Sequence, residues 1–190
     1  CSESLLQSLG MEDKLEGRKE LIAGINHMAW LLEIKDKNGV DLYPEIKSKV
    51  DEYIANPDNR DKVRMDYIRN FGYYCTESSE HNAEYMPYWI KSNQPQLIDE
   101  WNIPLDEYPR RCINQIEDWK KRRDTLINDP HLTHERTHEY ASYIMEAMET
   151  NQPYKIGGNV LNNGLITNLP RNAVVEVPCM VDKSGVTPCY

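Results

Sequence analysis

The sequence lacks the patterns that direct a chain to a membrane or to nucleic acid. No apolar run approaches the roughly 20 residues that cross a bilayer as a helix. No basic stretch followed by an apolar core opens the chain, so no signal peptide is read there. No cluster of Lys and Arg interleaved with aromatics occurs. The 22 basic residues are outnumbered by 31 acidic ones, leaving a net charge of -9, and a field of that sign repels a polyphosphate partner. Cysteine is sparse and unpatterned: Cys1, Cys75, Cys112, Cys179 and Cys189 are odd in number and include no Cys-x-x-Cys pair. That argues against a secreted disulfide scaffold and fits reduced thiols in a cytoplasm. Internal repeats and low-complexity linkers are also missing, and 190 residues are enough for one domain with a real core.

What is present reads as α+β, with helices in the middle and strands towards both ends. Ser4 to Leu9 has helical character at the start of the chain. Met28 to Lys35 is apolar and aromatic, and Asn38-Gly39 separates it from Val40-Asp41-Leu42-Tyr43. Asn-Gly between two such runs predicts a hairpin, because both residues tolerate positive φ. Pro44 opens a helix to about Ala55. A second helix covers Asp61 to Phe71, with Gly72 as C-cap. Asp106 to Asn128 forms a long charged helix, with Cys112, Ile113, Ile116 and Trp119 on one stripe and Pro109 in the first turn. His134 to Thr150 is read as another amphipathic helix. Strands follow around Val160-Leu161 and from Ala173 to Val181. The chain begins at Cys1 within a helix-like run and stops at Tyr190 with no terminal element, so it reads as an internal fragment.

Two histidine patterns bear on chemistry. His27, in Ala23-Gly24-Ile25-Asn26-His27-Met28-Ala29-Trp30, carries an imidazole that can act as metal ligand, base or buried hydrogen-bonding group. His134-Glu135-Arg136-Thr137-His138 matches H-E-x-x-H, in which i and i+4 histidines grip Zn²⁺ and the Glu activates water. Pro130 and its polar surroundings instead suggest a solvated helix start, with Glu135 and Glu139 near the positive end of the dipole. No third His follows, so a zinc peptidase would need Glu146 or Glu176 as its last ligand. Two further segments are unusually polar. Residues 72–85 combine Glu77, Ser78, Ser79, Glu80, His81 and Tyr85, and read also as a capped helix start with Ser78 or Ser79 as N-cap. Residues 157–170 are rich in carboxamides that could bond sugar hydroxyls, or simply make turns.

Taken together, several blocks resemble glycoside hydrolase family 4, and within it the melibiase (α-galactosidase) branch. They are Ala-Gly-Ile-Asn-His-Met-Ala-Trp at 23–30, Gly-Tyr-Tyr-Cys-Thr-Glu-Ser-Ser-Glu-His at 72–81 and Ala-Glu-Tyr at 83–85. Ile-Pro-Leu-Asp-Glu-Tyr-Pro-Arg-Arg-Cys at 103–112, Glu-Tyr-Ala-Ser at 139–142 and Val-Val-Glu-Val-Pro-Cys-Met-Val-Asp at 174–182 complete the set. The resemblance covers nearly the whole chain, and its blocks lie in family order. It implies a lactate dehydrogenase-like C-terminal domain over residues 23–190, truncated at its end, with residues 1–22 the tail of a Rossmann or linker region. The NAD-binding Rossmann domain itself is absent from this chain.

The resemblance further implies a cytoplasmic enzyme that uses NAD⁺ and Mn²⁺ to hydrolyse an α-galactoside or small oligosaccharide, by oxidation at C3, proton removal at C2, elimination and water addition. This differs from the two-carboxylate displacement of most glycosidases. On the matching positions, His27 is the metal ligand and Asn26 borders the sugar. Glu77 or His81 is the proton-abstracting residue, with Tyr85 a third candidate. The family's ligating cysteine does not fit Cys1, so it is placed before residue 1. The parent is expected to be a homo-oligomer and the isolated fragment inactive. α-Galacturonidase or α-glucosidase specificity, the zinc peptidase, and a non-catalytic assembly fragment are the alternatives.

Overall fold

The structure is a computed structural model and describes residues 1–133, 135–137 and 139–189. Helix α1 (Ser2–Ser8) and a 3₁₀ turn at Glu12–Lys14 lead into strands β1 (Lys19–Ile25) and β2 (Met28–Lys35). Helices α2 (Tyr43–Ala55) and α3 (Lys62–Phe71) follow, then the short strand β3 (Tyr74–Cys75) and helices α4 (Ser79–Tyr85) and α5 (Leu97–Glu100). After α6 (Glu107–Asn128) and α7 (Ala141–Thr150) come β4 (Tyr154–Leu161), β5 (Val174–Asp182) and β6 (Gly185–Pro188). The sheet runs in the order β3-β2-β1-β5-β4, with β6 also paired to β5. Every pairing is antiparallel. Along the chain, most helices therefore fall between two groups of strands that join in one sheet, as the α+β reading expects.

The chain divides into two compact units, residues 1–103 with 141–190, and residues 104–140. The second unit is dominated by α6, a helix of 22 residues with Pro109 in its first turn as the sequence suggests. Its apolar stripe forms, but no residue of the helix is buried, and Tyr108, Ile113, Ile116 and Trp119 are all more than half exposed.

The first unit holds three clusters. Leu5 and Leu6 of α1 and its C-cap Leu9 pack with Leu31 and Ile34 of β2, Ile46 and Val50 of α2, and Met65 and Ile68 of α3. Leu31 and Ile34 share this core although three positions apart, because β2 carries an extra residue there: Leu21 pairs with Glu33 and Ile22 with Leu31. A bulge of this kind resets the alternation of faces. Helix α3 turns a second face, Val63 and Tyr67, towards Cys75, Ala83, Trp89 and Ile103. Val175, Val177 and Cys179 of β5 form the third cluster.

Two elements differ from their sequence-based reading. The Asn38-Gly39 turn forms, closed by Asp36: its carboxylate accepts from Asn38 N and Val40 N at 2.8 and 2.9 Å, and its own N–H donates to Val40 O. The returning strand is reduced to one bridge, Lys35 with Asp41, because Asp41 Oδ1 accepts from Tyr43 N at 3.1 Å and Pro44 occupies the first turn of α2. The predicted helix from His134 starts only at Ala141. Glu135, Arg136, Thr137 and Glu139 lie outside any helix, and His134 and His138 lie outside the described residues.

Tyr43, 5 % exposed, joins the first core to the sheet. Its hydroxyl donates to Leu31 O and accepts from Tyr74 N at 3.2 Å. Tyr43→Phe removes a bond that two buried backbone groups use, and should cost about 1–3 kcal/mol in denaturant unfolding; an unchanged midpoint would refute this linkage. A second expectation concerns the thiols. Burial pushes the Cys75 thiol up to about 12, and Cys179 is buried as well. Since the thiolate is the nucleophile, a disulfide reagent at pH 8 should titrate Cys1, Cys112 and Cys189 in the folded chain. Cys75 and Cys179 should react only after denaturation, so prompt modification of all five cysteines would contradict the packing.

Candidate active site

The β1–β2 hairpin pairs from Lys19 with Lys35 up to Ile25 with Met28, leaving Asn26 and His27 as its two-residue turn. The Asn26–His27 peptide bond is cis. The sequence predicts a hairpin at Asn38-Gly39; the full hairpin lies here instead. Gly24 is required by its crowding. Its φ is +151°, and a Cβ there would lie 2.8 Å from Ala29 Cα. On the other side Gly24 pairs with Glu176 of β5, which brings that carboxylate beside the turn.

A second segment is bound to the hairpin through Thr76. Its N–H donates to Ala29 O at 2.8 Å, and its hydroxyl accepts from Ala29 N at 3.0 Å. Glu77 follows with φ +68°, in the left-handed region. Ser78, one of the two N-cap candidates in the sequence, then caps α4, its hydroxyl accepting from His81 N. The arch around Glu77 is clamped from below by buried Asn82, whose Nδ2 donates to Thr76 O and Ser78 O at 2.9 Å each. Ser79 fixes the start of α4 to α3, donating to Asp61 Oδ1 at 2.6 Å, while Arg64 Nε bonds the same oxygen.

These two segments bring together the residues singled out in the sequence. Glu77 Oε2 accepts from His27 Nδ1, and Glu77 Oε1 lies 3.5 Å from His81 Nδ1. His81 Nδ1 is 3.0 Å from the Ser78 hydroxyl. The two imidazoles lie nearly parallel, with ring centroids 6.5 Å apart. The His27 hydrogen bond, aided by the nearby His81 charge, holds the Glu77 carboxyl below the ordinary range despite partial burial. Glu176 shows the opposite behaviour: burial pushes its carboxyl up, against a hydrogen bond from the Asn26 side chain and the charge of His27. Asn26 and His27 are thus each held by a different carboxylate. Tyr85, the third candidate, is exposed with its ring 6.2 Å from that of His81.

Glu176 entered the sequence reading only as a spare zinc ligand, and Asn82 not at all. A lone acid in the β-rich Val174-Val175-Glu176-Val177, and an Asn four residues after a predicted N-cap, were the available signals. The carboxamide-rich segment resolves towards turn chemistry at Asn162, which is fully buried. Its Nδ2 reaches Ile166 O, Leu169 O and Pro170 O at 3.0–3.1 Å, and its Oδ1 accepts from Ile166 N at 2.7 Å. Among the described residues, no three His, Cys, Asp or Glu side chains converge as a cation site. His27, 58 % exposed with Nδ1 engaged, offers Nε2 as one metal donor. Buried Cys75, with its protonated thiol favoured, is a poor second donor. The fit is therefore that of one half of a metal site.

Among the described residues, no helix is long and apolar enough to cross a membrane. Residues 22–190 match the C-terminal domain of the family 4 glycosyl hydrolases. An α-galactosidase of Bacillus subtilis (strain 168) is 60% identical over 190 residues, all of this chain and 43% of its own length. Among solved structures, lplD of Bacillus subtilis superposes with a TM-score of 0.78 at 18% identity, over 98% of this chain and 46% of that one. A 6-phospho-α-glucosidase from gut microorganisms, in complex with NAD and Mn²⁺, gives 0.62 at 20% identity, over 98% of this chain and 44% of that one. The chain spans less than half the length of each of these relatives. With the match running from residue 22 through residue 190, the chain belongs to the family 4 glycosyl hydrolases and carries their C-terminal domain.

Proposed function

We propose that this chain supplies part of the metal and sugar site of an NAD- and Mn-dependent α-galactosidase. The observation that carries the reading is the Asn26–His27 turn facing Glu77 and His81, in a chain 60% identical to an α-galactosidase. That identity favours an α-galactoside over an α-galacturonide or α-glucoside. The zinc peptidase loses its support, since the described residues of its motif are not helical.

A bound nicotinamide would supply hydride exchange at sugar C3, and a divalent ion held in part by His27 would supply Lewis acidity towards the sugar oxygens. The residues of this chain bind and orient. Among the described residues, His27 Nε2 is the one donor that it contributes to the metal. Asn26, fixed by Glu176, presents its remaining carboxamide capacity to a sugar hydroxyl. The Glu77–His81 pair is the proton-accepting group for C2, whose proton becomes acidic next to an oxidised C3. Metal and proton acceptor need to face the same sugar carbons, and the 6.5 Å between the two imidazoles meets that need.

The parent is proposed as a cytoplasmic homo-oligomer. The exposed apolar stripe of α6 is surface of the kind that subunit contacts cover. The test is made on the full-length polypeptide. It should cleave p-nitrophenyl α-galactoside only with NAD⁺ and Mn²⁺ present, and His27→Ala should lower turnover by more than about 100-fold. The 190-residue chain alone should show no turnover. Cofactor-independent cleavage, or undiminished activity of His27→Ala, would refute the proposal.

A further inference from the structure

One carboxylate in the site is committed to the ring atom of His27 that decides what the rest of the ring can do. Glu77 Oε2 meets His27 at Nδ1. An ionised carboxylate only accepts hydrogen bonds, so the shared proton belongs to the imidazole nitrogen. With the proton on Nδ1, the lone pair of the neutral ring is on Nε2, the atom pointing away from Glu77. Free neutral imidazole favours the other tautomer, so this arrangement has to be enforced by a neighbour.

Several contacts hold Glu77 in place for that role. Its backbone is in the left-handed region at φ +68°, and the carbonyls on either side of it are both bonded by buried Asn82. Thr76, immediately before it, is tied to Ala29 two residues beyond His27. Its other oxygen faces His81 at 3.5 Å, so the carboxylate is held between two imidazoles. The titratable groups around His27 are therefore Glu77 and His81 from one segment and Glu176 from β5.

We propose that Glu77 is a positioning residue, which fixes His27 as the Nδ1-protonated tautomer and aims its Nε2 lone pair at a divalent cation. This deepens the functional reading above and rests on it only for the identity of the ligand. Within the Glu77–His81 pair, the proton-accepting role then falls to His81 in its neutral form, and Glu77 orients.

The tautomer is read without metal or sugar. Two-bond ¹H–¹⁵N correlation spectra of this chain at pH 8.5, above the ordinary imidazole range, should show His27 protonated on Nδ1. Exposed His131 should show the Nε2-protonated pattern of a free imidazole. In Glu77→Ala, His27 should revert to that pattern with His131 unchanged. Glu77→Gly suits the left-handed backbone and serves as the variant that keeps the fold, checked by amide dispersion. Nε2-protonated His27 in the unaltered chain, or an unchanged His27 tautomer in a folded Glu77→Gly chain, would overturn the proposal. In the full-length polypeptide, Glu77→Gly should weaken Mn²⁺ binding by about 10–100-fold, read by electron paramagnetic resonance of free Mn²⁺. Mn²⁺ affinity unaltered in a folded Glu77→Gly polypeptide would count against the positioning role. Mn²⁺ affinity unaltered in His27→Ala would instead refute the metal assignment of the functional reading, a separate failure.

Discussion

The site depends on one pair of hydrogen bonds, those between Ala29 and Thr76. Ala29 lies two residues past the Asn26–His27 turn, and Thr76 lies one residue before Glu77. The backbone pair Thr76 N to Ala29 O continues the β2–β3 ladder by one step. The second bond replaces a backbone acceptor with the Thr76 hydroxyl, which satisfies Ala29 N where the chain turns away from the sheet. Without this substitution the ladder would either run on or leave a donor unpaired, at a cost of about 1–3 kcal/mol. Because of it, residue 77 arrives beside His27 in a fixed orientation, and the left-handed backbone at Glu77 redirects the chain into α4.

The electrostatics follow from that placement. The two acidic side chains that reach the turn are displaced from ordinary behaviour in opposite directions. Glu77 finds a donor in His27 and prefers its ionised form, whereas Glu176 is penalised by burial between β1 and β4. Gly157, opposite this part of β5, leaves room for the Glu176 carboxylate, since a Cβ there would approach Oε1 to 3.2 Å. An acidic protein has no lack of carboxylates; what distinguishes these two is that each holds one residue of a single turn. Under the proposed function, that arrangement prepares a surface turn to contribute one metal ligand.

Much of this was legible from local rules. The bounds of β2, the cap at Gly72, the helix opened by Pro44 and the Ser78 N-cap follow from apolar pattern and terminus chemistry, which act within a few residues. The failures share a cause. The hairpin at Asn26–His27 has no Asn-Gly or Asp-Gly signal, and its stability comes from β5 and β3 on either side, which are distant in sequence. The Asn38-Gly39 turn was recognised correctly, but Leu42 and Tyr43 were needed by the first core in a helical arrangement, and that requirement removed the returning strand. In α6 the helical period was readable, while burial was not, since period alone does not say what covers a stripe. Asn26, His27, Glu77 and His81, the residues that the resemblance singles out, lie close together in space. The part played by Glu176 was hidden because a single acid in a strand does not reveal what it faces.

The account stands most directly on whether a cation sits at the ring atom that Glu77 leaves free. Anomalous diffraction at the manganese edge, from crystals of the full-length polypeptide with NAD⁺ and Mn²⁺, would show it. The account predicts an anomalous peak within coordination distance of His27 Nε2, with Glu77 on Nδ1 of the same ring. A peak at a site that excludes His27, or coordination through Nδ1 with Glu77 displaced, would contradict it.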